Sequence, residues 1–296
     1  MPHISDIQIR DPFIVTENGN YYLFGSTDKD IWRSPGVGFD MYVSRGNLAE
    51  FEGPFPCFRP PNDFWSERNF WAPEVYRYRD EYYMFATFKP KTGRRGTAVL
   101  KSKSLDTPFT PFSDGPVTPA EWECLDGTLY IDGNGKPWMV FCHEWQQVTD
   151  GEICVMPLAD DLRNACGKPE LLFNASEAPW ASPLKNRPVR AFVTDGPNMY
   201  SAANGSLLML WSSFGPDGKY RIGLASSQSG DVRGPWKQFS EPLYSADGGH
   251  GMFFRSADGV LYLTVHTPNK SPFERPVFIE MAEENGRIIP GKRVIS

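Results

Sequence analysis

Five segments of the sequence place an acid or a histidine at the mouth of a short apolar run. They are Arg10-Asp11-Pro12-Phe13-Ile14-Val15, Trp71-Ala72-Pro73-Glu74-Val75-Tyr76, Leu125-Asp126-Gly127-Thr128-Leu129-Tyr130, Thr194-Asp195-Gly196-Pro197-Asn198-Met199-Tyr200 and Gly249-His250-Gly251-Met252-Phe253-Phe254. One such Asp would ordinarily be a turn or strand-cap residue that bonds nearby backbone amides. Four carboxylates and an imidazole repeated in register are another matter. Gathered on one face they raise each other's pKa and cost stability, a cost usually tolerated where the groups are used. A protonated acid to donate to a leaving oxygen, and an ionised one to activate water or attack carbon, are what glycosidic bond hydrolysis needs.

The elements that must position these groups repeat as well. Each segment leads through a tight turn (Asn18-Gly19, Arg79-Asp80, Gly133-Asn134-Gly135, Asn204-Gly205, Asp258-Gly259) into a second apolar or aromatic strand. The copies recur at roughly 50 to 70 residues, a period that signals a propeller or solenoid. Third and fourth strands follow in several copies, as in Asp40–Ser44 with Phe51–Phe55, Thr97–Ser102 with Thr107–Phe109, and Tyr220–Ser226 with Gly234–Trp236. The prediction is an all-β, single-domain, five-bladed propeller over residues 1–296, which the 27 Gly, 27 Pro and 14% aromatic content also favour. The innermost strand of each blade lies against the central axis, so Asp11, Glu74, Asp126, Asp195 and His250 are expected to meet at one face. The ends of the second strands add Ser26, Thr27, His143, Glu144, Trp145, Ser212, Ser213 and His266 to that rim. Residues 4–9 are read as an edge strand that closes the ring. Two long connections, 53–70 with Trp65 and Phe70 and 167–190 with Trp180 and Arg190, are expected to shape the pocket. Trp71, Glu74, His143, Trp145, Arg190 and His250 are the candidate substrate contacts.

A net charge of −6, with no Lys/Arg cluster interleaved with aromatics, argues against a nucleic-acid surface. No apolar run approaches the roughly 18 residues of a membrane span, so no membrane partner is expected. The first repeat begins a few residues after Met1, which leaves no signal peptide in the sequence as given, and a cytoplasmic location is the expectation. The five cysteines lack CxxC spacing and sit mostly in apolar strands, as buried reduced thiols do. Asn174-Ala175-Ser176 matches a glycosylation sequon but reads as an exposed loop.

In this order and register, Arg10-Asp11-Pro12, Trp71-Ala72-Pro73-Glu74-Val75, Asp126 with Leu129-Tyr130-Ile131-Asp132, Thr194-Asp195-Gly196-Pro197 and Gly249-His250-Gly251 resemble glycoside hydrolase family 43, five-bladed hydrolases of arabinan and xylan side chains. The resemblance covers nearly the whole chain. It implies an inverting glycosidase of the α-L-arabinofuranosidase or exo-arabinanase type acting on a pentose-containing oligosaccharide, with β-xylosidase as the alternative. It further implies Asp11 as general base, Asp126 as the residue that tunes and orients the acid, no required cofactor, and a water or calcium ion on the axis near His250. The family's usual donor is the Glu of a Glu-Gly-Pro motif, where this chain has Asp195-Gly196-Pro197. Asp is one methylene shorter, so Glu144 on the neighbouring rim competes with Asp195 as proton donor.

Two other readings are open from sequence. A non-catalytic carbohydrate-binding propeller would explain the Glu-to-Asp change, but such a site has no need to keep Asp11 and Asp126. A fructan-active propeller is prompted by Glu123-Cys124 ahead of Asp126, yet the Arg-Asp-Pro tripeptide stands in the first blade rather than a middle one.

Overall fold

A computed structural model, which describes residues 1–284 and 287–296, folds as five four-stranded antiparallel sheets around an axis. Blade one is β1 (Arg10–Glu17), β2 (Asn20–Ser26), β3 (Phe39–Ser44) and β4 (Glu52–Phe58). Blade two is β5 (Arg68–Tyr78), β6 (Glu81–Lys89), β7 (Gly96–Ser102) and β8 (Thr110–Pro111). Blade three is β9 (Cys124–Ile131), β10 (Pro137–His143), β11 (Glu152–Pro157) and β12 (Glu170–Asn174), with one short helix, α1 (Trp145–Val148), between β10 and β11. Blade four is β13 (Asp195–Ser201), β14 (Leu207–Phe214), β15 (Tyr220–Ser227) and β16 (Trp236–Gln238). Blade five is β17 (Phe253–Arg255), β18 (Leu261–Thr267), β19 (Arg275–Glu284) and β20 (Arg287–Ile295). The predicted five-bladed, all-β fold is therefore the observed one.

The core lies between blades. Each sheet buries both faces, and the five hydrophobic clusters each span two neighbouring blades. The cluster between blades one and two is built on phenylalanines: Phe88 lies 4.9 Å from Phe70, 5.1 Å from Phe64 and 5.9 Å from Phe39, mostly edge to face.

Two expectations are corrected. Residues 4–9 are not a strand: Ile4–Asp6 form a 3-10 turn, and Ile4, Ile7 and Ile9 wedge among Leu23, Phe254, Tyr262 and Phe278 between blades one and five. The backbone of Ile4 instead bonds Ala49, and Arg275 Nε donates to Ser5 O at 2.9 Å, which ties the arm to both blades. The large aromatics of the 53–70 connection face inward, with Phe70 buried and Phe64 and Trp65 packed against the same cluster, because they gain more from the inter-blade interior than from a wet rim, while Asn69 of this connection and Leu184 and Arg187 of the second line the pocket as expected. Trp180 of the second connection likewise packs at 4.6 Å on Trp211.

Every inner strand carries the same fault. Arg10 pairs with Ser26 and Phe13 with Phe24, so Asp11 and Pro12 stand opposite Gly25 alone. Trp71 and Glu74 pair with Thr87 and Phe85, Leu125 and Thr128 with Cys142 and Val140, and Asp195 and Asn198 with Ser212 and Leu210. The first bulged residue is left-handed each time: Asp11 (φ 55), Ala72 (φ 46), Asp126 (φ 55), Gly196 (φ 50) and, in blade five, His250 (φ 47). Bulges of this kind re-aim side chains beside active sites. Blade five needs Gly251 after its left-handed residue, since a Cβ there would fall 1.6 Å from Thr264 O.

The bulges also stitch the blades together. The freed N–H of Ala72 donates to Ser26 Oγ of the preceding blade at 2.8 Å, that of Asp126 to Thr87 Oγ1 at 2.9 Å, that of His250 to Ser212 Oγ at 2.9 Å, and that of Asp11 to His266 Nδ1 at 3.2 Å. The matching position for blade four is Cys142, whose thiol is a weak acceptor, and the Gly196 N–H goes instead to Asp126 Oδ2 at 3.0 Å.

Candidate active site

The bulges aim Asp11, Asp126 and His250 into one cavity of about 550 Å³ at the ends of the inner strands, in the size range of small-ligand sites. Register sorts the five predicted residues into three levels. Asp11, Asp126 and His250 share the left-handed level. Asp195 stands one residue earlier, level with Arg10, Trp71 and Leu125, and also lines the cavity. Glu74 stands two residues later, level with Phe13 and Thr128, beneath the cavity, where Tyr76 donates its hydroxyl to it. Glu74 is thus corrected from a substrate contact to a buried axial group, its pKa pushed by burial up to about 7.

His250 stands between two acids, with Nδ1 3.3 Å from Asp11 Oδ1 and 3.7 Å from Asp126 Oδ2. Its ring packs on Gly196, where a Cβ would come 2.6 Å from Cδ2, so that position admits no side chain. Ser26 Oγ donates to Asp11 Oδ2 at 2.5 Å, and its direction is fixed because the same oxygen accepts from Ala72. Burial raises the Asp11 pKa, but His250, Arg10 and the Ser26 hydrogen bond outweigh it and hold the carboxyl below the ordinary range. Burial, and then the negative charge of Asp11, push Asp126 up to about 8. Burial, and then Asp126, push Asp195 up to about 7, against the pull of a 2.9 Å hydrogen bond from Tyr220. One acid is kept ionised while the other two compete for protons, which is the division of labour an acid/base pair requires.

A chain of groups supports Asp11 from behind. His266, fully buried, has its pKa lowered to about 3 by burial and by Arg10, so it is neutral and accepts the Asp11 N–H at Nδ1. Its proton therefore sits on Nε2, 3.3 Å from Asn269 Oδ1, which also accepts from Arg10 Nη2 at 2.8 Å. Arg10 Nη1 completes the chain at 2.8 Å from the buried Glu274.

One wall of the cavity alternates cations and rings. Arg10 lies 5.2 Å from the ring of Trp32, Trp32 5.1 Å from Trp71, and Arg95 4.7 Å from Trp71. Arg95 Nη2 then reaches Glu144 Oε2 at 3.0 Å. Burial raises the Glu144 pKa and Arg95 opposes it. Trp145 lines the cavity, with the Arg187 guanidinium carbon over its ring at 4.9 Å from the centroid.

Two further expectations are corrected. His143 turns away from the cavity: its ring stacks at 4.2 Å on Trp122, with Nδ1 2.7 Å from Glu152 and Nε2 3.1 Å from Gln147, anchoring the turn that carries Glu144 and Trp145. Arg190 is exposed and covers Phe192 at 5.3 Å, while Arg187, three residues earlier, lines the cavity. Residues not anticipated as contacts include Arg10, Trp32, Asn69, Arg95, Tyr220 and Asn269. The available signal was topological: third strands start on the same face where second strands end, which places Arg95 and Tyr220 at the opening.

The model for Glycosyl hydrolases family 43 matches residues 4–285. The chain belongs to glycoside hydrolase family 43. It is a glycosidase, and its substrate is a carbohydrate. The fold is similar to that of an endo-arabinase from Bacteroides thetaiotaomicron, at 42% identity and TM-score 0.89, over 96% of this chain and 98% of that one. A thermostable family-43 glycoside hydrolase matches at 24% identity and TM-score 0.82 over 98% and 94% of the two chains. An α-L-arabinofuranosidase from Lactobacillus brevis matches at 16% identity and TM-score 0.74 over 98% and 97%, a likeness of fold alone. No curated protein matches the sequence. The family resemblance implies a water or a calcium ion on the axis near His250. His250 directs Nδ1 at the Asp11 and Asp126 carboxylates, and among the described residues no three His, Cys, Asp or Glu side chains are arranged to hold a metal ion by themselves.

Proposed function

We propose that this family 43 enzyme hydrolyses α-L-arabinofuranosyl linkages in pentose-containing oligosaccharides with inversion, and without an added cofactor. Asp11 is the general base, Asp195 the general acid, and Asp126 the group that tunes and orients the acid. The observation that carries the reading is the opposite displacement of two carboxyls in one cavity, Asp11 below its ordinary range and Asp195 up to about 7. The resemblance to a protein named as an endo-arabinase supports the choice of sugar.

In the reaction so assigned, Asp11 takes a proton from a water that attacks the anomeric carbon as the glycosidic bond breaks. Asp195 gives its proton to the departing oxygen, and the Tyr220 hydroxyl at 2.9 Å holds the carboxylate that remains. Glu144 is the weaker donor candidate, because Arg95 lies against one of its carboxylate oxygens.

The test is hydrolysis of nitrophenyl α-L-arabinofuranoside, nitrophenyl β-D-xyloside and linear arabino-oligosaccharides, with NMR detection of the first anomer. Arabinofuranosyl cleavage giving the inverted anomer supports the proposal, and unchanged rates after chelation support the cofactor reading. Cleavage of the xyloside alone, a retained anomer, or no hydrolysis overturns it.

A further inference from the structure

Three arginines line the cavity, and they are not equivalent. Arg10 is matched by the buried Glu274 at 2.8 Å, and Arg95 by Glu144 at 3.0 Å. Among the described residues, Arg187 has no carboxylate within ion-pair distance; its guanidinium lies over the Trp145 ring at 4.9 Å, exposed to solvent at the cavity edge. A guanidinium over an aromatic face keeps N–H donors available, and its fork suits two-point recognition of a carboxylate. One face of Trp145 is thereby covered, so a sugar that reaches this edge meets a cation on that side rather than a bare aromatic platform.

The surroundings add to the field. Arg95 and Arg187 flank the Glu144–Trp145 turn from two segments, Lys89–Arg95 and Leu184–Arg190, which contribute Lys89, Lys91, Arg94, Lys185 and Arg190 and no acidic residue. Glu123 meets Lys89 at 3.3 Å and Arg94 at 3.6 Å, but no acid within ion-pair distance answers Arg187. This is a cationic quarter on a protein whose net charge is −6. The cavity floor holds the Asp11 carboxylate and two further acids competing for protons, a poor place for an anion, so a substrate's negative charge must lie toward the edge while a neutral ring occupies the floor.

We propose that Arg187 and Trp145 form a subsite for a uronic acid, and that the enzyme acts on pentose-containing oligosaccharides carrying a glycuronosyl residue away from the bond that is cut. This deepens the assignment of the preceding subsection and rests on it. The test uses two matched arabinofuranosyl oligosaccharides, one with a galacturonosyl and one with a galactosyl residue, which differ only in carboxylate against hydroxymethyl. The ratio of kcat/KM on the acidic to the neutral compound should exceed one at low salt. It should fall about tenfold in Arg187→Gln, as expected for loss of a hydrogen bond to a charged group, and fall likewise in roughly 0.5 M salt. Arg190→Gln, which removes the same charge outside the cavity, should keep the ratio within about twofold. A wild-type ratio of one or less, or an equal fall in both variants, overturns the subsite. If neither compound is hydrolysed, the assignment of activity has failed, and calorimetric binding of the same pair decides the subsite separately. A preference for the acidic compound that Arg187→Gln abolishes supports it, and equal or undetectable binding overturns it.

Discussion

Arg95 Nη2 lies 3.0 Å from Glu144 Oε2, with both side chains buried. An acid held against a guanidinium is poorly placed to carry a mobile proton, and removing one partner of a buried pair strands the other. Glu123 remains 3.9 Å from Arg95, so Glu144→Gln should lower stability by less than the roughly 3 to 5 kcal/mol of a fully stranded charge and slow aryl and natural glycosides alike. Asp195→Asn should spare aryl glycosides with good leaving groups and slow natural linkages severely. Melting curves and paired kcat/KM values check both. The reverse pattern would make Glu144 the donor.

The pH profile of kcat/KM should fall as pH rises through about 7, where Asp195 loses its proton. Asp126 raises the Asp195 pKa, so Asp126→Asn removes that push and the basic limb should move to lower pH. A basic limb unmoved by this change would separate the two acids.

Ser26 donates to Asp11 Oδ2 at 2.5 Å and helps hold its pKa down. Ser26→Ala should move the acidic limb to higher pH and lower kcat by about ten- to a hundredfold, the range for losing a hydrogen bond to a charged group. An unchanged acidic limb would mean that His250 and Arg10 suffice.

Phe88 is fully buried at the centre of the cluster between blades one and two. Phe88→Ala should destabilise the fold by about 3 to 5 kcal/mol, read from denaturant unfolding, with little change in the pH limbs of the folded fraction.

The ring and most of the acids were legible because strand alternation and turn chemistry are local. Asp11, Asp126 and His250 were placed correctly since all three occupy the same bulged position. Glu74 and Asp195 were aligned with them by one- or two-residue shifts that alternation alone cannot detect, because a bulge sets two residues opposite one. Arg190 and Arg187 lie in an exposed, aperiodic loop where nothing in the residue pattern says which one turns inward. His143 was located at the right strand end but on the wrong side, since its direction depends on Trp122, 21 residues earlier in the chain, at a 4.2 Å stack.

The irregular stitch at Cys142 has a consequence for catalysis. A wheel of five equal spokes offers a proton no preferred direction. Three blades close this stitch with a hydroxyl and one with the His266 imidazole; where the position falls to the Cys142 thiol, the carboxylate of Asp126 takes over the bond to Gly196, the residue next to the donor. That break in the pattern makes one spoke both brace and electrostatic neighbour of Asp195, and gives the hub a polarity from base to acid that its repeats alone would not have.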